Sequence, residues 1–214
     1  MDFPVLLPSE ALQRSDSNFY LALYWRNAAI IDGIKSFLKR NAAGELCSLR
    51  FTASRPKKEA AANEESFLFD RLLPILDAAC FITDTLPEEL YINRADNSNS
   101  LFALASFPGE IVVEIELNEC LPNSVPAIAF CKANYTHGHK SNQPLVGFFN
   151  EDGLLLADDD GMELLVTETN TARAAHGAFD WMQMRFEVKL KAGQIRPGRE
   201  NLDVLAKMIR EAAK

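Results

Sequence analysis

The stretch Glu110-Ile111-Val112-Val113-Glu114-Ile115-Glu116-Leu117-Asn118 alternates strictly in polarity. Ile111, Val113, Ile115 and Leu117 face one way; Val112, Glu114, Glu116 and Asn118 face the other. A period of two marks a β-strand with one buried and one wet face. Pro108-Gly109 supplies a turn just before it, and residues 101–107 form the preceding strand. Residues 90–94 make a short strand further upstream, and residues 125–135, 144–149, 154–157 and 162–167 continue the sheet downstream. The connections between these late strands are too short for crossover helices, which favours antiparallel pairing.

Helical periodicity flanks this block. In residues 27–40, Ile30, Ile31, Ile34, Phe37 and Leu38 recur at helical spacing, Lys35, Lys39 and Arg40 gather toward the end, and Gly44 follows as a stop. Residues 45–53 then alternate, with Cys47, Leu49, Phe51 and Ala53 on one face and Ser48, Arg50 and Thr52 on the other. Residues 54–65 are polar and are expected to be mobile. Residues 66–83 read as a helix interrupted or started at Pro74, because an interior proline costs about 3 kcal/mol. Ala175, Phe179, Met182, Phe186 and Leu190 form a last long stripe ending at Gly193; Pro197-Gly198 bends the chain, and residues 201–213 form the final helix. The prediction is an α+β fold: an open, mainly antiparallel sheet with helices packed on one face. Residues 1–18 are an irregular lead-in, and residues 19–214 form one domain.

Composition narrows the function. The formal net charge of −8 argues against a nucleic-acid backbone as the main partner, which calls for a basic face. The four cysteines, Cys47, Cys80, Cys120 and Cys131, include no C-x-x-C pair and lie in apolar surroundings. They read as buried thiols of a reducing compartment. No run of about 18 apolar residues and no basic leader segment is visible, so no membrane contact is expected and the expected location is the cytoplasm.

Most apparent site motifs yield to plainer readings. The segment 193–200 has the glycine spacing of a phosphate loop, but it puts Arg199 and Glu200 where that loop needs lysine and a hydroxyl; it reads as a helix stop and a turn. No G-x-G-x-x-G occurs, so no dinucleotide site and no cofactor are expected in this chain. Asp158-Asp159-Asp160-Gly161 lacks the alternation of a calcium loop and reads as a hairpin turn. His137 and His139, two residues apart across Gly138, form a polar loop tip rather than a metal site; His176 stands alone. Phe179, Met182 and Phe186 are core, and Trp25 and Trp181 are packing residues. What remains is Phe69-Asp70-Arg71-Leu72-Leu73-Pro74-Ile75-Leu76-Asp77. On a helix, Asp70, Pro74 and Asp77 share one face. Two readings stand: a helix carboxylate beside a capped or ion-paired partner, or a pocket for a ligand.

Four features resemble one family when taken in order. They are Trp25-Arg26 with a helix leading to Gly44-Glu45-Leu46, the spacing Asp70-x-x-x-Pro74-x-x-Asp77, the strand run broken by Pro108-Gly109 and Asp152-Gly153, and the helix to Gly193 followed by the Pro197 bend. Together they resemble the C-terminal domain of the glucose–fructose oxidoreductase/inositol dehydrogenase (Gfo/Idh/MocA) family. The family's D-x-x-x-H-x-x-D helix places its catalytic histidine where this chain has Pro74. Proline has no titratable group and cannot carry a proton beside a hydride transfer. In the family an N-terminal dinucleotide-binding domain supplies the nucleotide and a catalytic lysine; this chain is expected to lack that domain.

The resemblance therefore implies a non-catalytic, oligomerising or sugar-binding module, with a ligand pocket near Asp70, Pro74, Asp77, Arg26 and Arg50. A homo-oligomer through a sheet face is expected. The alternative is the substrate-binding half of a split oxidoreductase whose NAD(P) sits on a separate nucleotide-binding subunit.

Overall fold

The computed structural model describes residues 3–39, 44–94, 99–124, 127–135, 145–150, 153–158, 161–166, 178–199 and 201–213. The chain opens with β1 (Val5–Leu6), the one-turn helix α1 (Pro8–Ala11) and β2 (Tyr20–Leu21), which pairs parallel with β1. After α2 (Ala29–Lys39) comes β3 (Leu46–Pro56). Next is a continuous helical run: α3 (Glu64–Phe67), a π turn (Leu68–Leu72) and α4 (Leu73–Thr83). The strands β4 (Glu89–Arg94), β5 (Ser100–Phe107), β6 (Ile111–Leu121), β7 (Ile128–Tyr135), β8 (Leu145–Asn150), β9 (Gly153–Asp158) and β10 (Gly161–Val166) follow. The chain then ends with α5 (Ala178–Lys191) and α6 (Leu202–Ala212).

Eight strands form one sheet in the order β10-β9-β8-β7-β3-β6-β5-β4. Every pairing is antiparallel except β3 with β6. The early strand β3 thus enters the middle of a meander formed later in the chain. The α+β fold with an open, mainly antiparallel sheet matches the sequence reading, and the parallel central pair adds to it. The β5–β6 turn needs backbone in the left-handed region, which Gly109 takes at φ 83° beside Glu110 at φ 63°.

One face of the sheet carries the core. Leu49, Phe51 and Ala53 of β3, Ala103 and Ala105 of β5, and Val113, Ile115 and Leu117 of β6 are buried on it. The predicted alternation of β6 is what the structure holds. Over this face lies α4, in which Leu73 to Cys80 are all buried, as expected for a helix packed on every side. The outward face is mixed: Arg50 lies in register with Glu114 and Lys132, beside Phe102, Tyr91 and Val112, which are exposed.

Some expectations are corrected. Residues 54–65 are ordered: β3 runs on to Pro56, and the Asn63 side chain caps α3 by accepting from Ser66 N–H at 2.8 Å. The segment read as an irregular lead-in forms β1 and α1, because its backbone pairs with residues 20–22. Only Cys80 and Cys131 are buried; Cys120 is exposed, since it follows buried Glu119 on an alternating strand. Strands β9 and β10 pair antiparallel, with Asp158 opposite Gly161. His137, His139, His176, Asp159 and Asp160 lie outside the described residues, as does the expected start of α5 at Ala175.

Candidate functional site

Pro74 decides the local geometry. It lacks an N–H, so a regular α-helix through it would leave the carbonyl four residues earlier unanswered. The chain inserts a π turn instead: Leu73 N–H donates to Leu68 O, five residues back, and α4 starts with proline in its first turn, where no N–H is needed. Asp70 lies within that turn.

Asp70 is half-buried and faces the N-terminal segment. Ser9 N–H donates to its Oδ1 and Ser9 Oγ to its Oδ2, both at 2.8 Å. Burial pushes its carboxyl above the usual aspartate range, against the opposing pull of the Ser9 hydrogen bonds and Arg71. Pro74 stands beside it in the wall of a cleft of about 550 Å³, counting its open mouth. Leu7, Trp25 and Phe67 supply further apolar wall; Tyr24, Arg71 and Glu119 supply polar wall. Burial, followed by the charges of Glu187 and Glu10, raises the Tyr24 phenol. Trp25 is fixed edge-on against Phe51, with ring centroids 5.6 Å apart.

Glu119 is 3% exposed and organises the far wall. It accepts from Arg71 Nε at 2.7 Å and from Ala61 N–H at 2.6 Å, tying β6 to the π turn and to the segment before α3. Sequence reading missed it, although a signal was present: the alternation of β6 continues past Asn118 and puts Glu119 on the same buried face as Leu117. Ser9 was missed too, and no local pattern announces a contact with a residue 61 positions away.

The structure does not bring all five predicted residues to this cleft. Asp70 and Pro74 line it. Asp77 is 1% exposed and pairs with Arg26 through two hydrogen bonds, Nε to Oδ2 at 2.7 Å and Nη2 to Oδ1. That matches the ion-paired reading of the helix carboxylate. The π turn explains the separation, since it changes the helical phase between Asp70 and Asp77. Arg50 is corrected in position: it lies on the outward sheet face, 3.7 Å from Glu114 and 3.5 Å from Glu116.

Solved structures share this architecture. An oxidoreductase from Pseudomonas syringae superposes with a TM-score of 0.61 at 10% identity, over 91% of this chain and 60% of its own. Scyllo-inositol dehydrogenase from Lactobacillus casei, solved with NAD(H) and scyllo-inositol, gives 0.57 at 14% identity, over 91% and 62%. An inositol dehydrogenase homologue from Azotobacter vinelandii, with NADH and myo-inositol, gives 0.61 at 10% identity, over 91% and 62%. The chain has the fold of oxidoreductases of the inositol dehydrogenase type. It spans about three fifths of the length of these structures, and at such identities the likeness is one of fold. No family model and no curated protein matches the sequence.

The residues at phosphate-loop spacing form a helix stop and a turn, as the sequence reading has it. Gly193 N–H donates to Leu190 O, Gln194 N–H to Lys189 O and Gly198 N–H to Phe19 O, so these amides already have partners. Gly193, at φ 67°, ends α5 as a helix stop. Among the described residues, no group of three His, Cys, Asp or Glu side chains forms a metal site, and no helix is long and apolar enough to cross a membrane.

Proposed function

We propose that the chain is a non-catalytic relative of an oxidoreductase C-terminal domain that binds a small polyhydroxylated molecule, sugar or polyol, in the cleft beside Asp70, and that it works as a homo-oligomer. One observation carries this reading: Pro74, which can neither accept nor donate a proton, stands in the cleft wall beside a carboxylate that is well placed to bind. Polyols need donors and acceptors together. The Asp70 oxygens, the Tyr24 hydroxyl and the Arg71–Glu119 pair supply both around apolar wall.

Calorimetric titration with myo-inositol and a panel of hexoses tests the reading. Saturable binding is expected, weakened at least tenfold in Asp70→Ala. NADH formation by the chain alone with NAD and any of these polyols would overturn it.

A second reading is favoured by the extent of the fold match, since the solved dehydrogenases continue beyond the part this chain covers. Here the chain is the substrate-binding half of a split oxidoreductase, with NAD(P) held by a separate nucleotide-binding subunit. Co-purification with such a subunit, and NAD-dependent polyol turnover only when both are present, would favour this reading over the first.

A further inference from the structure

A second cleft, of about 970 Å³ counting its open mouth, lies between α5, the loop that follows it and α4. Its floor is apolar, built from Leu21, Leu23 and Phe186. Its charged groups among the described residues are all cations: Arg26, Lys189 and Arg196. In a chain with a formal net charge of −8, three cations around one apolar floor run against the average.

Two of these cations are held from behind. Arg26 is fixed by buried Asp77, and its guanidinium carbon lies 5.4 Å from the centroid of the Phe81 ring. Lys189 Nζ donates to Asp32 Oδ2 at 2.9 Å, on a carboxylate that also accepts from Arg185 Nη2 at 3.1 Å. Such anchoring places charge at the rim with little further loss of side-chain freedom on binding. Arg196 is exposed on the loop and has no ion-pair partner among the described residues. The loop itself is pinned by Gly198 N–H to Phe19 O at 2.9 Å, so its position beside the floor is set by backbone.

We propose that this cleft is a binding site for an organic anion with an apolar body, the anionic head meeting Arg196 and the neighbouring cations and the body lying on Leu21, Leu23 and Phe186. A charge-assisted contact to a guanidinium favours carboxylate and phosphate heads alike. The apolar floor selects against small inorganic anions, which would gain nothing from it. The site is separate from the cleft beside Asp70 and does not rest on the function proposed for that cleft.

The test uses the whole chain, octanoate and hexyl phosphate as probes, and amide chemical shifts as the readout. Saturable shifts at Gln194, Ile195, Arg196 and Gly198 are expected with both probes. Octanamide, which keeps the body and loses the charge, should bind at least tenfold more weakly. Arg196→Glu should weaken octanoate at least tenfold while leaving the spectrum folded. A preference between octanoate and hexyl phosphate distinguishes the two sources of anionic head. Asp70→Asn should leave octanoate binding unchanged, so failure here and failure at the first cleft are told apart. Octanoate binding that ignores Arg196→Glu, shifts that centre on Tyr24 and Asp70, or no saturation at millimolar probe would each overturn the proposal.

Discussion

At the scale of single residues, two aspartates seven positions apart in one helical run have opposite settings. Asp77 is enclosed and paired with Arg26, whereas Asp70 is half-buried and meets a neutral serine. Asp77→Asn would leave the Arg26 guanidinium facing a neutral amide in a dry setting. A loss of about 3 kcal/mol in urea unfolding is expected, as for other buried pairs broken on one side. Asp70 behaves differently with pH. Its folded carboxyl titrates above the ordinary aspartate value of 3.8. Its contribution to stability is therefore full below that value and is lost as pH rises through the raised one. Asp70→Asn is accordingly expected to be at least as stable as the parent at neutral pH, with the advantage vanishing as the medium is acidified below the ordinary aspartate range. Thermal melts of both proteins across pH would show the difference curve, and a difference growing toward low pH would contradict it.

At the scale of elements, Pro74 shows what local patterning can and cannot convey. The sequence made a break or a late start at this proline legible, and the structure has a helix restarting there. It did not make the π turn legible, because the turn's cause is an imino acid two residues inside an apolar run and its result is a phase change that no hydrophobic period records. Strand faces were legible where one side is wet: β6 follows its alternation, and β3 does so from Leu49 to Ala53, while a register shift at its start buries Leu46 in place of Cys47. The carboxylate of Glu119 was not, since its burial depends on Arg71 and Ala61, which come near it only in the folded chain. The π turn also makes a mutational contrast. Pro74→Ala should cost less than about 1 kcal/mol, chiefly through a freer unfolded chain, because first-turn prolines forfeit no hydrogen bond. Ala78→Pro, one turn further into α4, should cost about 3 kcal/mol or more. Equal losses for the two in chemical denaturation would argue that Pro74 is not in a first turn at all.

At the scale of the whole molecule, the helices cover one face of the eight-stranded sheet and leave the other with exposed Phe102, Tyr91 and Val112 around the Arg50 charge row. Apolar side chains interleaved with matched charges suit a self-complementary contact. The expected mass in solution is twice the 23.8 kDa of one chain. Phe102→Lys should return it to that of one chain in light scattering while leaving the melting temperature of the fold unaltered. A parent protein that runs at 23.8 kDa at micromolar concentration would remove the argument.

The parallel pairing of β3 with β6 has a consequence for how the chain is made. β3 leaves the ribosome before its neighbours β6 and β7, which are translated more than fifty residues later. Until then Leu49, Phe51 and Ala53 stand on a strand with two open edges. Nascent chains stalled before residue 111 should therefore bind chaperones and resist native collapse, and those released after residue 135 should not.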